Sequence, residues 1–473
     1  MKLLRSLGRR WLFLLVLLVL AGATKVRSEG PMNVGGPQLP PPDPNKPTVL
    51  GGPAVPGAPF IWKDSNPLTY WTDPGPSGGG LALGNLTAAQ ADSLVQQAFQ
   101  VWQDVPTASI NFSKAGSLSK DVTASNILSV LNQLSDCAVA FPADSVAKDR
   151  TIVYDADGSA IKAMGDDPTM ILGEASPVCF TSDGTNNFYQ RGFAILNGKP
   201  LTSGQATRAD LEATMVHELG HLIGLDHSQI NLNCLTDFSC PVDDLAGVPI
   251  MFPVAVTGTR TTLSTDDVAG VSVLYPETVN KSPTQVAFNT MGRIQGRVLF
   301  SDGPTPAQGF NVIARQVDDP STPTVNESRR IAVSNVSGFL FTEDAGNSAV
   351  PDSLTENPFG SRDPSLIGFF DIPGLPVDNG KKYTLEVEAI HNSDPNPFVG
   401  GSSVGPIGNV GFQFLLVAPC SPVILSGTTT TCDPTQKTHL QPQAGQILNT
   451  GTNVVLIGTT GTLLRYDAWE DGP

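Results

Sequence analysis

The sequence predicts an α+β domain followed by an all-β domain, and three observations predict it. As far as residue 276, strand-like runs alternate with stretches of helical apolar periodicity. Beyond residue 291 only short alternating runs remain, separated by Gly, Pro and Asp turns. The first part also contains His217-Glu218-Leu219-Gly220-His221-Leu222-Ile223-Gly224-Leu225-Asp226-His227, which holds three of the five histidines in the chain.

That stretch carries the chemistry. His217 and His221, four residues apart, project from one face of a helix. Their nitrogens can reach one cation at about 2.0–2.1 Å, the Zn–N distance. Glu218 lies about 100° round the helix from His217, beside the metal rather than on it. It suits a general base acting on a water held there. Gly224 stops the helix, because glycine enters the left-handed conformation without a Cβ clash. The returning chain brings His227 back as a third ligand and leaves a fourth position open, as in catalytic zinc sites. Upstream, Thr207 and Asp210 read as a capping box, followed by an apolar stripe of Leu211, Met215, Leu219 and Leu222.

The extended pattern H-E-x-x-H-x-x-G-x-x-H resembles the active-site helix of the metzincin proteases. Ser228 after the third histidine is similar to the matrixin branch. So are the methionine turn Pro249-Ile250-Met251-Phe252-Pro253 and the helix Leu263–Tyr275, with Ser264 and Asp267 as N-cap and N3 residues. The resemblance implies an α+β zincin-like metalloprotease domain, a twisted mixed sheet plus the active-site helix. It implies Zn²⁺ on His217, His221 and His227, Glu218 as catalytic base, and Met251 with Gly224 as structural support. Polypeptides would be the substrates. Three features depart from the family: no cysteine precedes Cys137 to hold the enzyme latent, no histidine precedes His217 to bind a second zinc, and Ala255 stands where a pocket-wall tyrosine is usual.

Taken in order, residues 1–23 read as a signal peptide, with Lys2, Arg5, Arg9 and Arg10 before an apolar run and then Ala21-Gly22-Ala23. That run is too short for a confident membrane span. A secreted, extracellular chain is expected. Residues 24–58 are a Pro/Gly-rich leader, read as flexible. The protease domain occupies 59–276. Its strand candidates are Pro67–Thr72, Ile152–Tyr154 and Phe193–Asn197, the last of these expected to border the substrate cleft. A helix from Thr87 to about Asp104 should bury Leu94, Val95, Ala98, Phe99 and Trp102. Asp155 and Asp157, with Asp166 and Asp167, offer oxygen ligands for a structural Ca²⁺, although acidic turns also simply face water.

Six cysteines allow fifteen pairings. Export favours disulfides, and proximity favours Cys234–Cys240 and Cys420–Cys432, leaving Cys137–Cys179. Residues 277–291 read as a linker and 292–473 as a β-sandwich accessory domain, with strands from Gly292, Asn311, Gly368, Tyr383 and Thr452. This part resembles the transthyretin-like carboxypeptidase regulatory domains. Each half is long enough to bury a core of its own.

The net charge is −16, and −20 without the signal peptide. A chain this acidic is not expected to bind nucleic acid or an anionic membrane. A monomer is expected. The competing reading is an adhesive or carbohydrate-binding protein with an inert protease-like half, and the presence of Glu218 counts against it.

Overall fold

A computed structural model describes residues 30–35, 49–50, 54–63, 66–138, 140–228, 230, 241–252, 261–280, 285–299, 304–307, 310–338, 340, 363–389, 439–450 and 452–455. The signal segment 1–23, the cysteine pairs Cys234–Cys240 and Cys420–Cys432, and Ala255 lie outside them.

One mixed sheet dominates the first half. Its order is β1 (Val49–Leu50), β8 (Gly173–Ser182), β9 (Asn187–Asn197), β7 (Arg150–Asp155), β3 (Leu68–Thr72) and β6 (Phe112–Ser117). Strand β2 (Phe60–Trp62) pairs β9 beyond the end of β7. Strands β4 (Leu81–Leu83) and β5 (Leu86–Thr87) make a separate hairpin. Only β8 runs antiparallel to its neighbour β9; the other pairs are parallel.

Helix α1 (Ala88–Gln103) starts at a Thr87–Gln90 capping box and buries the five expected residues together with Ala91. It packs with α5 (Arg208–Leu222) on one face of the sheet, against Ile152, Tyr154, Ala194 and Leu196. The opposite face, carrying Val153, Phe193 and Ile195, is covered by α2 (Ile127–Ser135) and α3 (Ser159–Met164). Strand β9 is therefore buried on both faces, as a central strand must be. The short helix α4 (Lys199–Ser203) precedes α5, and α6 (Thr265–Leu274) follows the methionine turn. A disulfide joins Cys137, just past α2, to Cys179 in β8.

Two expectations are corrected here. Phe193–Asn197 does not border a cleft, because β9 is paired on both sides; β8 lies outside it. The leader is not loose throughout: residues 30–35 are all buried. Pro31 bridges Leu225, the Met32 N–H donates to the Gly224 carbonyl at 2.6 Å, and the Gly30 carbonyl accepts from Asp226 N–H at 3.1 Å. Tyr189 Oη lies 3.3 Å from Asn33 Oδ1. Proline and glycine content signals weak local structure, but it does not prevent a segment from being bound by distant backbone groups.

The described residues of the second half form two small sheets. In one, β10 (Gly292–Leu299) pairs β13 (Phe369–Leu375), β15 (Ile447–Leu448) and β16 (Val454–Val455). In the other, β11 (Phe310–Gln316) lies between β12 (Ala332–Val336) and β14 (Tyr383–Ala389). Both contribute to one apolar core that includes Ile294, Val298, Phe310, Val312, Phe370 and Leu385.

The two halves are not independent bodies joined by a loose tether. Ala269 of α6 belongs to the C-terminal core, and Ile230 is buried with Ile313 and Ala332. The connecting residues are tied down as well: Glu277 N–H donates to the Thr107 carbonyl and Val286 N–H to the Pro106 carbonyl, both at 2.9 Å.

Candidate active site

Helix α5 forms where its caps allow. Thr207 Oγ1 accepts the N–H of Asp210, and the Asp210 carboxylate accepts the N–H of Thr207. At the other end Gly224 has a φ of +103°, which glycine adopts without strain. There the Gly224 N–H bonds the His221 carbonyl and the Leu225 N–H the Gly220 carbonyl, closing the helix and reversing the chain. Two carbonyls left over at this terminus find side-chain donors. Trp62 Nε1 donates to Leu222 at 2.7 Å, and Tyr275 Oη donates to Ile223 at 2.7 Å.

The reversal delivers His227 to the other two histidines. His221 Nε2 lies 3.1 Å from His217 Nε2 and 3.0 Å from His227 Nε2. The tautomers of the first pair follow from their neighbours. His217 Nδ1 lies 2.7 Å from the Ile250 carbonyl and His221 Nδ1 2.8 Å from the Leu225 carbonyl. A carbonyl can only accept, so each Nδ1 carries the proton and each Nε2 presents a lone pair. Lone pairs aimed at one another need a shared cation, and neutral imidazoles are what a metal requires. Burial pushes His217 down to about 4; burial, and then His217 itself, push His221 down to about 3. Among the described residues this is the one grouping of three His, Cys, Asp or Glu side chains able to hold a metal.

Glu218 is buried beside this cluster. Burial, and secondarily Glu174, hold its carboxyl well above the usual range. Glu174 is itself raised to about 7 by burial and by Asp166. The strand nearest Glu218 is β8: a Cβ on Gly173 would lie 2.6 Å from Glu218 Cγ. Gly173 and Glu174 were missed in the sequence, and the only signal for them was a Gly-Glu pair in a stretch of weak strand pattern.

Met251 is fully buried beneath α5. Gly220 makes room for it, since a Cβ there would come within 2.3 Å of Met251 Sδ. The turn is fastened by Asp267, whose carboxylate accepts N–H groups from Ile250 at 2.9 Å, Met251 at 3.1 Å and Ser264 at 2.6 Å.

Of the residues suggested for calcium, Asp155 and Asp157 each accept a backbone N–H at a helix start. Asp155 Oδ2 accepts the Ile161 N–H, and Asp157 Oδ1 accepts that of Ser159, so both fasten the start of α3.

A scan against protein-family models matches residues 80–276 to Matrixin. No curated protein and no solved structure was found to match the chain.

Proposed function

From the premise that residues 80–276 form a matrixin-like metzincin segment, we propose that this protein is an exported zinc-dependent endopeptidase acting on extracellular polypeptides. The family match supports the zinc metalloendopeptidase. The basic, apolar and small-residue order of residues 1–23 supports export. The observation that carries the reading is the convergence of three imidazole Nε2 atoms, two with the proton fixed on the far nitrogen. This donor set fits zinc, which favours nitrogen ligands and keeps a position open in catalytic sites.

His217, His221 and His227 hold the ion in this reading. Zinc bound there would supply a Lewis acid that polarises the scissile carbonyl and acidifies a water. Glu218 takes that water's proton and returns it to the leaving amine. Met251 supports the histidines from below without contributing a donor. The part of β8 next to Glu218, which starts at Gly173 and lies outside the β1 pairing at Phe180–Thr181, offers backbone groups with which an extended substrate can pair. The resemblance of the C-terminal strands to transthyretin-like regulatory domains supports an accessory role for that half. No observation favours the inert adhesive reading, and calcium is not part of the proposal.

Profiling cleavage of a peptide library by the protein, with and without a zinc chelator, tests it. Cleavage within peptides that the chelator abolishes and added zinc restores is the expected result. Absence of any chelator-sensitive cleavage, in a folded preparation, overturns the reading.

A further inference from the structure

Two consecutive acids open helix α6, and they face different partners. Asp267 completes the capping box and fastens the methionine turn. Asp266 takes no part in the cap. It is 1% exposed, and a buried carboxylate is costly unless hydrogen-bonded. Its partners come from both halves of the chain. Ser228 Oγ donates to Oδ2 at 2.5 Å, Ser334 N–H to Oδ1 at 2.6 Å, and Ser334 Oγ to Oδ2 at 3.2 Å.

Ser228 directly follows His227, and its own N–H donates to the Met251 carbonyl at 2.9 Å. It is thus clamped between the methionine turn and Asp266. Ser334 sits in β12, whose sheet also covers Ile230 through Ile313 and Ala332. A third contact lies just before the methionine turn. Fully buried Asp244 meets Asn326 Nδ2 at 2.5 Å, Arg330 Nε at 3.3 Å and Arg329 at 3.4 Å. The C-terminal half therefore touches the chain between the third histidine and Met251 at Ile230 and Asp244, and reaches Ser228 through Asp266.

We propose that Asp266 is a positioning residue that sets His227 through Ser228, and that the C-terminal half holds Asp266 in place through Ser334. The accessory half is then a structural part of the metal centre. This deepens the zinc-protease reading and rests on it. Hydrogen bonds to a charged acceptor are about twice as strong as neutral ones, which suits a link that must fix a ligand.

The test uses the full chain, stripped of metal and titrated with Co²⁺ as a spectroscopic substitute and then with Zn²⁺, followed by kinetics on a short peptide. Residues that orient metal ligands are worth about 10–100-fold in affinity or activity, so Asp266→Ala should weaken metal binding and lower kcat at least about tenfold. The visible Co²⁺ spectrum should change and KM should not. Asp266→Asn, which keeps the shape and one acceptor, should recover part of the loss, whereas Asp266→Leu, which fills the same space with no acceptor, should recover none. Ser228→Ala and Ser334→Ala should each have smaller effects that are not additive when combined, because both act through one carboxylate. A folded Asp266→Ala protein with wild-type metal affinity, spectrum and kcat overturns the proposal. Should that variant fail to fold, the serine pair decides: non-additive losses support the link, and additive or absent losses overturn it. A wild-type protein that binds neither Co²⁺ nor Zn²⁺ at one equivalent defeats the zinc-protease reading instead, and this inference with it.

Discussion

Gly173 faces Glu218 so closely that a Cβ on the glycine would stand 2.9 Å from Glu218 Oε1. The strand and the carboxylate share one space, and only a residue without a side chain lets both occupy it. Gly173→Ala should push Glu218 aside at a cost of about 1–3 kcal/mol, the range for overpacking. We expect kcat to fall about tenfold or more while bound zinc stays at one equivalent, since roughly 1.4 kcal/mol is one decade in rate. Wild-type kinetics in this variant would remove Gly173 from the site.

Glu218→Gln isolates the proton transfer. The amide keeps the shape and loses the basic oxygen, so hydrolysis should fall at least about 10²-fold with zinc retained. Metal analysis beside peptide kinetics checks both halves of this statement. Turnover near wild type, with contaminating proteases excluded, would sink the role given to Glu218.

His227→Ala removes a donor that α5 cannot replace, because only His217 and His221 share its face. Zinc should then be lost to a moderate chelator that leaves the wild type loaded. A full equivalent of tightly held zinc in the variant means that His227 is not a ligand.

Without metal, half-buried His217 and buried His221 should make the protein acid-sensitive. The unfolded chain binds protons on His217 and His221 near pH 6.5, whereas the folded chain resists until about 4 and about 3. Their contribution to stability is therefore fully present above about pH 6.5 and is lost as pH falls through the folded values. Thermal unfolding of metal-free protein between pH 7 and pH 4 should show a steeper decline than a His217→Asn, His221→Asn double variant. Equal slopes would contradict this.

A chain ending at residue 277 should be markedly less stable than the whole, and its metal site weaker. Cutting there uncovers Ile230 and Ala269 and strips Asp244 of Arg329 and Arg330. Calorimetry and zinc competition on the shortened chain measure this. An unchanged unfolding temperature and zinc affinity would show that the halves are energetically separate.

What the sequence disclosed depended on how local the signal was. The helix start at Thr87, the capping residues at Thr207 and Ser264, the apolar face of α1 and the i, i+4 histidines are all set within a few residues, and each was legible. Strand β8 was not. Its residues Gly-Glu-Ala-Ser-Pro have little intrinsic strand preference, and pairing with β9 imposes the conformation. Phe193–Asn197 was accordingly read as an outer strand, although β8 lies beyond it. Asp266 and Asp267 are chemically identical neighbours, yet one caps its own helix and the other binds a serine 68 residues away. Nothing local distinguishes them.

The burial of residues 30–35 has a consequence for how the protein is made. Pro31 bridges Leu225, so this stretch must wait for a partner roughly 200 residues further along the chain. At synthesis rates of about 5–20 residues per second, the wait is roughly 10–40 s. A long apolar strand left unpaired for that time would invite aggregation. Gly30-Pro31-Met32-Asn33-Val34-Gly35 has too little apolar surface to associate on its own, and proline blocks one ladder bond. The composition that resembles a linker is what keeps this segment dissolved until the turn after the active-site helix exists to receive it.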